Sequence, residues 1–80
     1  MLTELEKKAK VVGTKETLQA IDSGNAVHVF IAEDSDNKIK NKIINAAKSS
    51  NIDLRIVDSK MKLGRACGID VAAASAALLK

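Results

Sequence analysis

Three carboxylates follow a continuous apolar run, where they could bind a cation. The run AVHVFIA (26–32) is followed by Glu33, Asp34 and Asp36. Open α/β sheets often place ligands at the carboxyl ends of their strands, and hard carboxylate oxygens suit Mg²⁺. Asp58, at the end of the next predicted strand, is a further candidate ligand for a small metal-dependent phosphoryl-transfer site. The alternative, which we favour, is that Asp34 to Asp36 cap the helix that follows.

A second polar cluster lies at the start of a predicted helix in GTKETLQ. A helix N-terminus after Gly13 presents free backbone N–H groups and a partial positive charge, which suit a phosphate. Lys15 and Gln19 share one stripe of this helix, and Glu16 lies beside them. A lysine donates to guanine O6 and N7, and a carboxylate accepts from the amino and imino hydrogens of another guanine edge, so the mixture suits base edges. A solvated helix surface is the alternative.

A third segment, SKMKLGRACGIDV, contains a glycine within a short helix. Gly64 is unfavourable there relative to alanine, so we expect a tight bend or a close approach of another backbone. Ile69, Asp70 and Val71 then form a short loop. Apolar side chains on an exposed loop predict a surface that covers another molecule, and the alternative is that they enter the core.

His28 and Cys67 do not form a recognisable catalytic group. His28 has no second histidine to work with, and we expect it to be half-buried and structural. Cys67 lacks a CxxC context, so we expect a small buried hydrophobe. No nucleophile-elbow, phosphate-loop or dinucleotide-binding motif occurs, and we expect neither enzyme activity, nor a cofactor, nor a bound metal.

Composition favours one small folded domain over residues 1–80. Apolar residues make up 46% and charged residues 29%, which argues against disorder. The net charge of +3 permits a nucleic-acid partner, but a single Phe without Trp or Tyr offers no stacking platform. One cysteine excludes an internal disulfide, and no 18-residue apolar run is present, so we expect a cytoplasmic protein that does not contact a membrane.

Hydrophobic periodicity predicts strands that alternate with helices. Helices are expected at 1–10 with a Thr3–Glu6 capping box, at Thr14–Ser23 with Thr14 as the cap and Leu18 and Ile21 inward, at 37–50 with Ile39, Ile43, Ala46 and Ala47 inward, and at 59–68. Strands are expected at 11–12, 26–32, 52–58 and 72–79. This alternation indicates an α/β fold with helices on both faces of a mixed sheet of about four strands.

The segments VVGTKETLQAIDSGNAVHVFIAEDSD and VDSKMKLGRACGIDVAAASAALL together resemble the seven-Ae family of large-subunit ribosomal proteins, which bind kink-turn RNA. The short bacterial members are the most similar, and the likeness runs from about Leu5 to Leu79. LGRACGI in register with GTKET is specific. The resemblance implies a three-layer α/β/α sandwich with a four-stranded mixed sheet.

The resemblance also implies an RNA site. In the family, the glycine turn and helix start enter the groove at tandem sheared G·A pairs, an acidic residue lies near a base flipped out of the bulge, and a loop packs over the bulged nucleotides. The matching residues here are Gly13, Thr14, Lys15, Glu16, Gln19, Asp36, Ile69, Asp70 and Val71. Gln19 replaces a lysine usual in the family, and Val71-Ala72 replaces the Arg-Pro of archaeal and eukaryotic relatives, so both contacts are weaker here.

The resemblance therefore predicts a monomeric, non-catalytic protein that binds and stabilises kink-turn RNA, with the ribosome as one setting. Two alternatives stay open. One is a protein-interaction module of the translation apparatus with little RNA affinity, which Gln19 and the shortened loop would favour. The other is the phosphoryl-transfer site at Glu33, Asp34 and Asp58.

Overall fold

The computed structural model describes residues 9–69 and 71–80, and within them the chain alternates strands with helices. The strands are β1 (Lys10–Val12), β2 (Ala26–Ala32), β3 (Asp53–Val57) and β4 (Ser75–Leu79), and the helices are α1 (Thr14–Asp22), α2 (Asn37–Ser49) and α3 (Lys60–Ala66). None of these helices is long and apolar enough to cross a membrane.

The strands form one mixed sheet in the order β1-β4-β2-β3. β2 and β3 are parallel, with Val29 opposite Leu54, while β4 is antiparallel to both β1 and β2. The strands β1, β2 and β3 consequently run in one direction, and each is followed by a helix. All three described helices therefore begin at the same edge of the sheet, which we call the carboxyl edge.

Two apolar clusters lie on opposite faces of the sheet and make the molecule three-layered. Between the sheet and the pair α1 and α2, the buried residues are Ala20, Ile21, Ala26, Val29, Ile31, Ile43 and Ala77. Between the sheet and α3 they are Phe30, Ala32, Val57, Leu63, Cys67, Ala73, Ala76 and Leu78. The predicted α/β/α sandwich with a four-stranded mixed sheet is confirmed.

The inward stripes of both long helices were predicted correctly in outline. Ile43 is fully buried under α2, and Ile39 and Ala46 pack around the same cluster. In α1, Ile21 is buried, whereas Leu18 is only partly buried and the polar Thr17 has no exposed surface. The hydroxyl of Thr17 has a buried partner, the Ser75 hydroxyl at 3.4 Å, which the sequence pattern did not indicate.

Several predicted boundaries were wrong by a few residues. The expected helix over 1–10, with its Thr3–Glu6 capping box, lies outside the described residues except at its end, where Lys10 already belongs to β1. The last strand begins at Ser75 and not at Ala72. The Ala73 N–H leaves the sheet and donates to the Lys60 carbonyl of α3, although the Ala74 carbonyl still accepts from Ala32 of β2.

Candidate functional site

The turn at Gly13 connects β1 to α1 in a conformation that requires glycine. Its φ of 109° and ψ of 156° belong to a region that is essentially restricted to glycine. The Gly13 N–H donates to the Ser75 carbonyl at 2.9 Å, so the start of β4 fixes this turn. The Gly13 carbonyl accepts the first helical bond from Thr17, also at 2.9 Å. Gly13 is therefore the N-cap position, and Thr14 is already helical, which corrects the prediction that Thr14 caps this helix.

The three described helices meet the carboxyl edge with different caps. At α2, the Lys38 N–H donates to Asp36 Oδ1 at 2.8 Å. At α3, the Lys62 N–H donates to Ser59 Oγ at 3.1 Å, and the Lys60 N–H donates to Asp34 Oδ1 at 2.8 Å. The start of α1 has no side-chain cap. Its first-turn N–H groups are thus left to bind an external acceptor, and a helix N-terminus favours a negatively charged one.

Polar side chains surround the uncapped start of α1. Lys15, Glu16 and Gln19 are all exposed. The Glu16 carboxylate folds back toward the turn, since a Cβ added to Gly13 would lie 3.1 Å from Glu16 Oε2. Glu16 and Gln19 also line one open cavity of about 270 Å³, which has Val11, Ala20 and Leu79 among its apolar lining residues. The start of α1 therefore offers free backbone donors together with one cation, one carboxylate and one amide.

The loop after α3 comes close to the middle of that helix. A Cβ on Gly64 would overlap the carbonyl oxygen of Val71, which confirms the expected close backbone approach. The two apolar residues of the predicted loop surface differ in exposure. Ile69 is half-buried against the cluster under α3, whereas Val71 is 64% exposed. Asp70 lies outside the described residues. For Ile69 the core alternative is thus partly right, and Val71 remains on the surface.

The carboxylates proposed as magnesium ligands have other partners. Asp34 caps α3, Glu33 Oε1 lies 3.5 Å from Lys40 Nζ, and Asp58 Oδ2 lies 3.3 Å from Lys62 Nζ. Within residues 9–69 and 71–80, no group of three or more His, Cys, Asp or Glu side chains is placed to hold a metal ion.

The capping prediction was right for Asp36 and wrong for Asp34. Asp34 caps α3 and not α2, because β2 and β3 are parallel neighbours. The turn after β2 therefore lies beside the start of α3, although the two are 26 residues apart in sequence.

His28 and Cys67 have the structural placements expected of them. The His28 side chain is 23% exposed, and its Nδ1 lies 3.4 Å from Asp53 Oδ2 without hydrogen-bond geometry. Cys67 is buried in the cluster under α3, and this burial raises the pKa of its thiol, an effect that the charge of Lys10 partly offsets. The thiol is therefore protonated at neutral pH and suits a packing role.

Two residues of the carboxyl edge were missed from the sequence. Ser75 is fully buried, holds the Gly13 N–H through its carbonyl, and bonds Thr17 through its hydroxyl. Nothing in the local pattern AAASAALL distinguishes it from its alanine neighbours. The role of Ser59 as the cap of α3 could have been predicted, since a serine at the start of a predicted helix is an ordinary N-cap signal.

Comparisons with known proteins agree with this fold. The family model described as "Ribosomal protein L7Ae/L30e/S12e/Gadd45 family" matches residues 2–80. An RNA-binding protein of Geobacillus sp. (strain WCH70) is 45% identical over 76 residues, covering 95% of this chain and 93% of that protein. Large ribosomal subunit protein eL8 of Halobacterium salinarum is 40% identical over 68 residues, covering 84% of this chain and 57% of that protein.

A solved structure extends the comparison to three dimensions. The 15.5kD RNA binding protein of Giardia lamblia superposes with a TM-score of 0.91 at 28% identity, covering 99% of this chain and 70% of that one.

Proposed function

Because the chain belongs to the ribosomal protein L7Ae/L30e/S12e/Gadd45 family, we propose that it binds structured RNA of the kink-turn type through its carboxyl edge. Its family places it among RNA-binding proteins and not among enzymes. The contact surface in this proposal is the start of α1 together with the loop that leads into β4. A kinked RNA bound there would be stabilised over its extended form by differential binding.

The observation that carries the proposal is the uncapped start of α1. The other two described helix starts bind their own carboxylate or hydroxyl caps, so they have less capacity for an external ligand. At α1 the free N–H groups suit a phosphate or a base acceptor, Lys15 suits guanine O6 and N7, and Glu16 suits guanine amino and imino hydrogens. A bare phosphate site would have no use for a carboxylate. Sheared G·A pairs expose the edges that these three groups fit.

The other proposed contacts have different supports. Val71 is exposed beside α3, which supports a role in covering an unstacked base, while Ile69 holds the loop down by packing into the core. Asp36 has one oxygen bound to the α2 backbone, which leaves its other oxygen for the RNA. Thr14, Gln19 and Asp70 remain in the proposed site from the family resemblance. Ribosomal RNA is the first natural RNA to test, since one relative is named as a large-subunit protein.

Glu16 provides the sharpest test, because net charge and base recognition predict opposite effects. Attraction by net charge alone predicts that Glu16→Ala binds RNA slightly more tightly. If the carboxylate accepts hydrogen bonds from a guanine, its loss costs about 1–3 kcal/mol of binding free energy. Affinity is to be measured for a kink-turn RNA and for the same RNA with Watson–Crick pairs in place of G·A, at one salt concentration. The penalty should be confined to the first RNA.

Asp22 offers a matched control on the same helix. It is exposed at the opposite end of α1, so Asp22→Ala removes the same charge without touching the turn. We expect it to bind both RNAs as the wild type does, or slightly more tightly. Tighter binding by both variants, with no coupling between Glu16 and the G·A pairs, would refute the proposal.

A further inference from the structure

The exposed face of α2 carries a series of hydrogen-bond donors without any carboxylate. The helix sequence NKIKNKIINAAKS contains four lysines and no acidic residue. At 3.6 residues per turn, the exposed polar residues fall on one stripe opposite the buried Ile43 and Ala47. This lysine stripe consists of Lys38, Asn41, Lys42, Asn45 and Lys48. Lys40 lies outside it and donates to the Glu33 carbonyl at 3.1 Å.

Two of these charges, those of Lys38 and Lys42, are poorly placed for the stability of the helix, whereas Lys48 lies in the last turn, where a positive charge is favourable. Lys38 lies in the first turn, where the helix end is already positive and where no acidic residue occurs. Lys38 and Lys42 are like charges four residues apart, an arrangement that destabilises helices. The ion pairs described for residues 9–69 and 71–80 involve His28, Lys40 and Lys62. Within the described residues neither Lys38 nor Lys42 belongs to an ion pair, and an external anion would give both a partner.

The position of the stripe relates it to the RNA site. α1 and α2 pack side by side on one face of the sheet, and both begin at the carboxyl edge. Lys38 is the second residue of α2, and Lys48 lies about 15 Å further along the helix axis, at 1.5 Å per residue. The stripe thus begins beside the proposed RNA site and continues away from it across the outer surface.

We propose that this stripe binds the phosphate backbone of a helical arm that flanks the kink, a contact separate from those at the start of α1. The inference rests on the proposed function. Lysine ammonium groups meet phosphate oxygens as point charges, and the amides of Asn41 and Asn45 donate to phosphates or bond the ribose 2′-hydroxyl. The contact is independent of base sequence and adds affinity in proportion to the RNA length that reaches α2.

The test compares the double variant Lys38→Gln/Lys42→Gln with the wild type on two kink-turn RNAs. One RNA has short arms, and the other has both arms lengthened by a helical turn. On the long RNA the variant should bind about tenfold more weakly at low salt, with a slope of log K against log salt that is shallower by about 1–2. On the short RNA the two proteins should bind equally. The melting temperature of the variant should be unchanged or raised, because the removed charges repel each other.

The control removes the same net charge elsewhere. Arg55 is exposed on the α3 face of the edge strand β3, and Lys80 follows β4 at the opposite edge of the sheet. If Arg55→Gln/Lys80→Gln loses as much affinity for the long RNA, net charge explains the effect and the inference is wrong. It is also wrong if the stripe variant binds both RNAs as the wild type does, or if its melting temperature falls. Binding to phosphatidylserine vesicles is measured as well, and a variant that loses only this binding would assign the stripe to an anionic membrane surface and not to RNA.

The same experiment separates this inference from the proposed function. A version of each RNA without G·A pairs reports on the start of α1, and the arm length reports on α2. If the wild type fails to distinguish the kinked RNA from its paired version, the proposed function fails. If it distinguishes them but the stripe variant binds the long RNA as tightly as the wild type does, only the stripe is wrong.

Discussion

The starts of α1 and α3 lie on the same edge of one sheet, but side chains cap the backbone N–H groups of α3 and none caps those of α1. α3 begins with two caps, Ser59 from its own chain segment and Asp34 from the turn after β2, and in its middle it contacts the loop backbone at Val71. α1 begins with a glycine that has no side chain to offer. Its turn is instead held from outside the helix, by the Ser75 carbonyl.

The difference separates stabilisation from recognition. A helix start gains stability when a side chain satisfies its free N–H groups, and a loss of such a cap typically costs about 1 kcal/mol. At α1 this gain is absent although the turn itself is rigidly positioned. A fixed turn with unsatisfied donors is preorganised for a ligand, since little conformational freedom remains to be lost on binding. The capped α3 instead supports the loop that carries Ile69 and Val71.

The largest effect is expected from Gly64→Ala, in the capped helix α3 where the loop packs against it. The added Cβ would overlap the Val71 carbonyl, which is backbone and cannot move aside as a side chain would. Helix α3 and its loop must separate, so we expect a loss of about 2–4 kcal/mol in the free energy of unfolding, measured by chemical denaturation. Arg65→Ala, the exposed neighbour, should change it by less than about 0.5 kcal/mol. Equal small losses would mean that the contact of α3 with the loop is not tight.

An intermediate effect is expected from Gly13→Ala at the uncapped start of α1. Alanine would have to adopt a glycine conformation at a cost of about 1–3 kcal/mol of folding free energy, and its Cβ would displace the Glu16 carboxylate. The kink-turn affinity should fall as well, because both the turn and Glu16 move. Gly24→Ala, at the other end of α1, also has positive φ but meets nothing within 4 Å. It should cost stability without any effect on RNA affinity, and equal affinity losses would remove the turn from the site.

The smallest effect concerns the caps themselves. Asp36→Ala should lower the free energy of unfolding by about 1 kcal/mol, because the Lys38 N–H loses its acceptor. Thr14→Ala should change it by much less, since Thr14 follows the N-cap and caps nothing. Asp36→Ser keeps an acceptor and should restore stability. If Asp36→Ser still binds kink-turn RNA less well, the carboxylate contributes to the RNA site as well as to the cap.

Local patterns were sufficient for most elements and for part of the site. The run AVHVFIA predicted β2 to the residue, and the spacing of Ile39 and Ile43 predicted the inward face of α2. Both depend on side-chain periodicity within one element, which is a local property. The position of Asp36 before an apolar-periodic segment similarly indicated its cap. The family resemblance supplied the proposed RNA contacts, which these patterns alone left open.

The tertiary structure decided what depends on the meeting of distant segments. Asp34 caps α3 at Lys60 because β2 and β3 are parallel neighbours. The local sequence around neither Asp34 nor Lys60 contains that information. Thr14 does not have the predicted cap role, because Gly13 occupies the N-cap position. The carbonyl of Ser75, which comes 62 residues after Gly13, holds the Gly13 N–H in place. Gly64 could be recognised as unusual from the sequence, but only the packed loop identified its neighbour as Val71. Hydrogen bonds and close contacts across the sheet edge form only in the folded state. There each buried polar group must have a partner, and the order of residues along the chain does not indicate which partner that is.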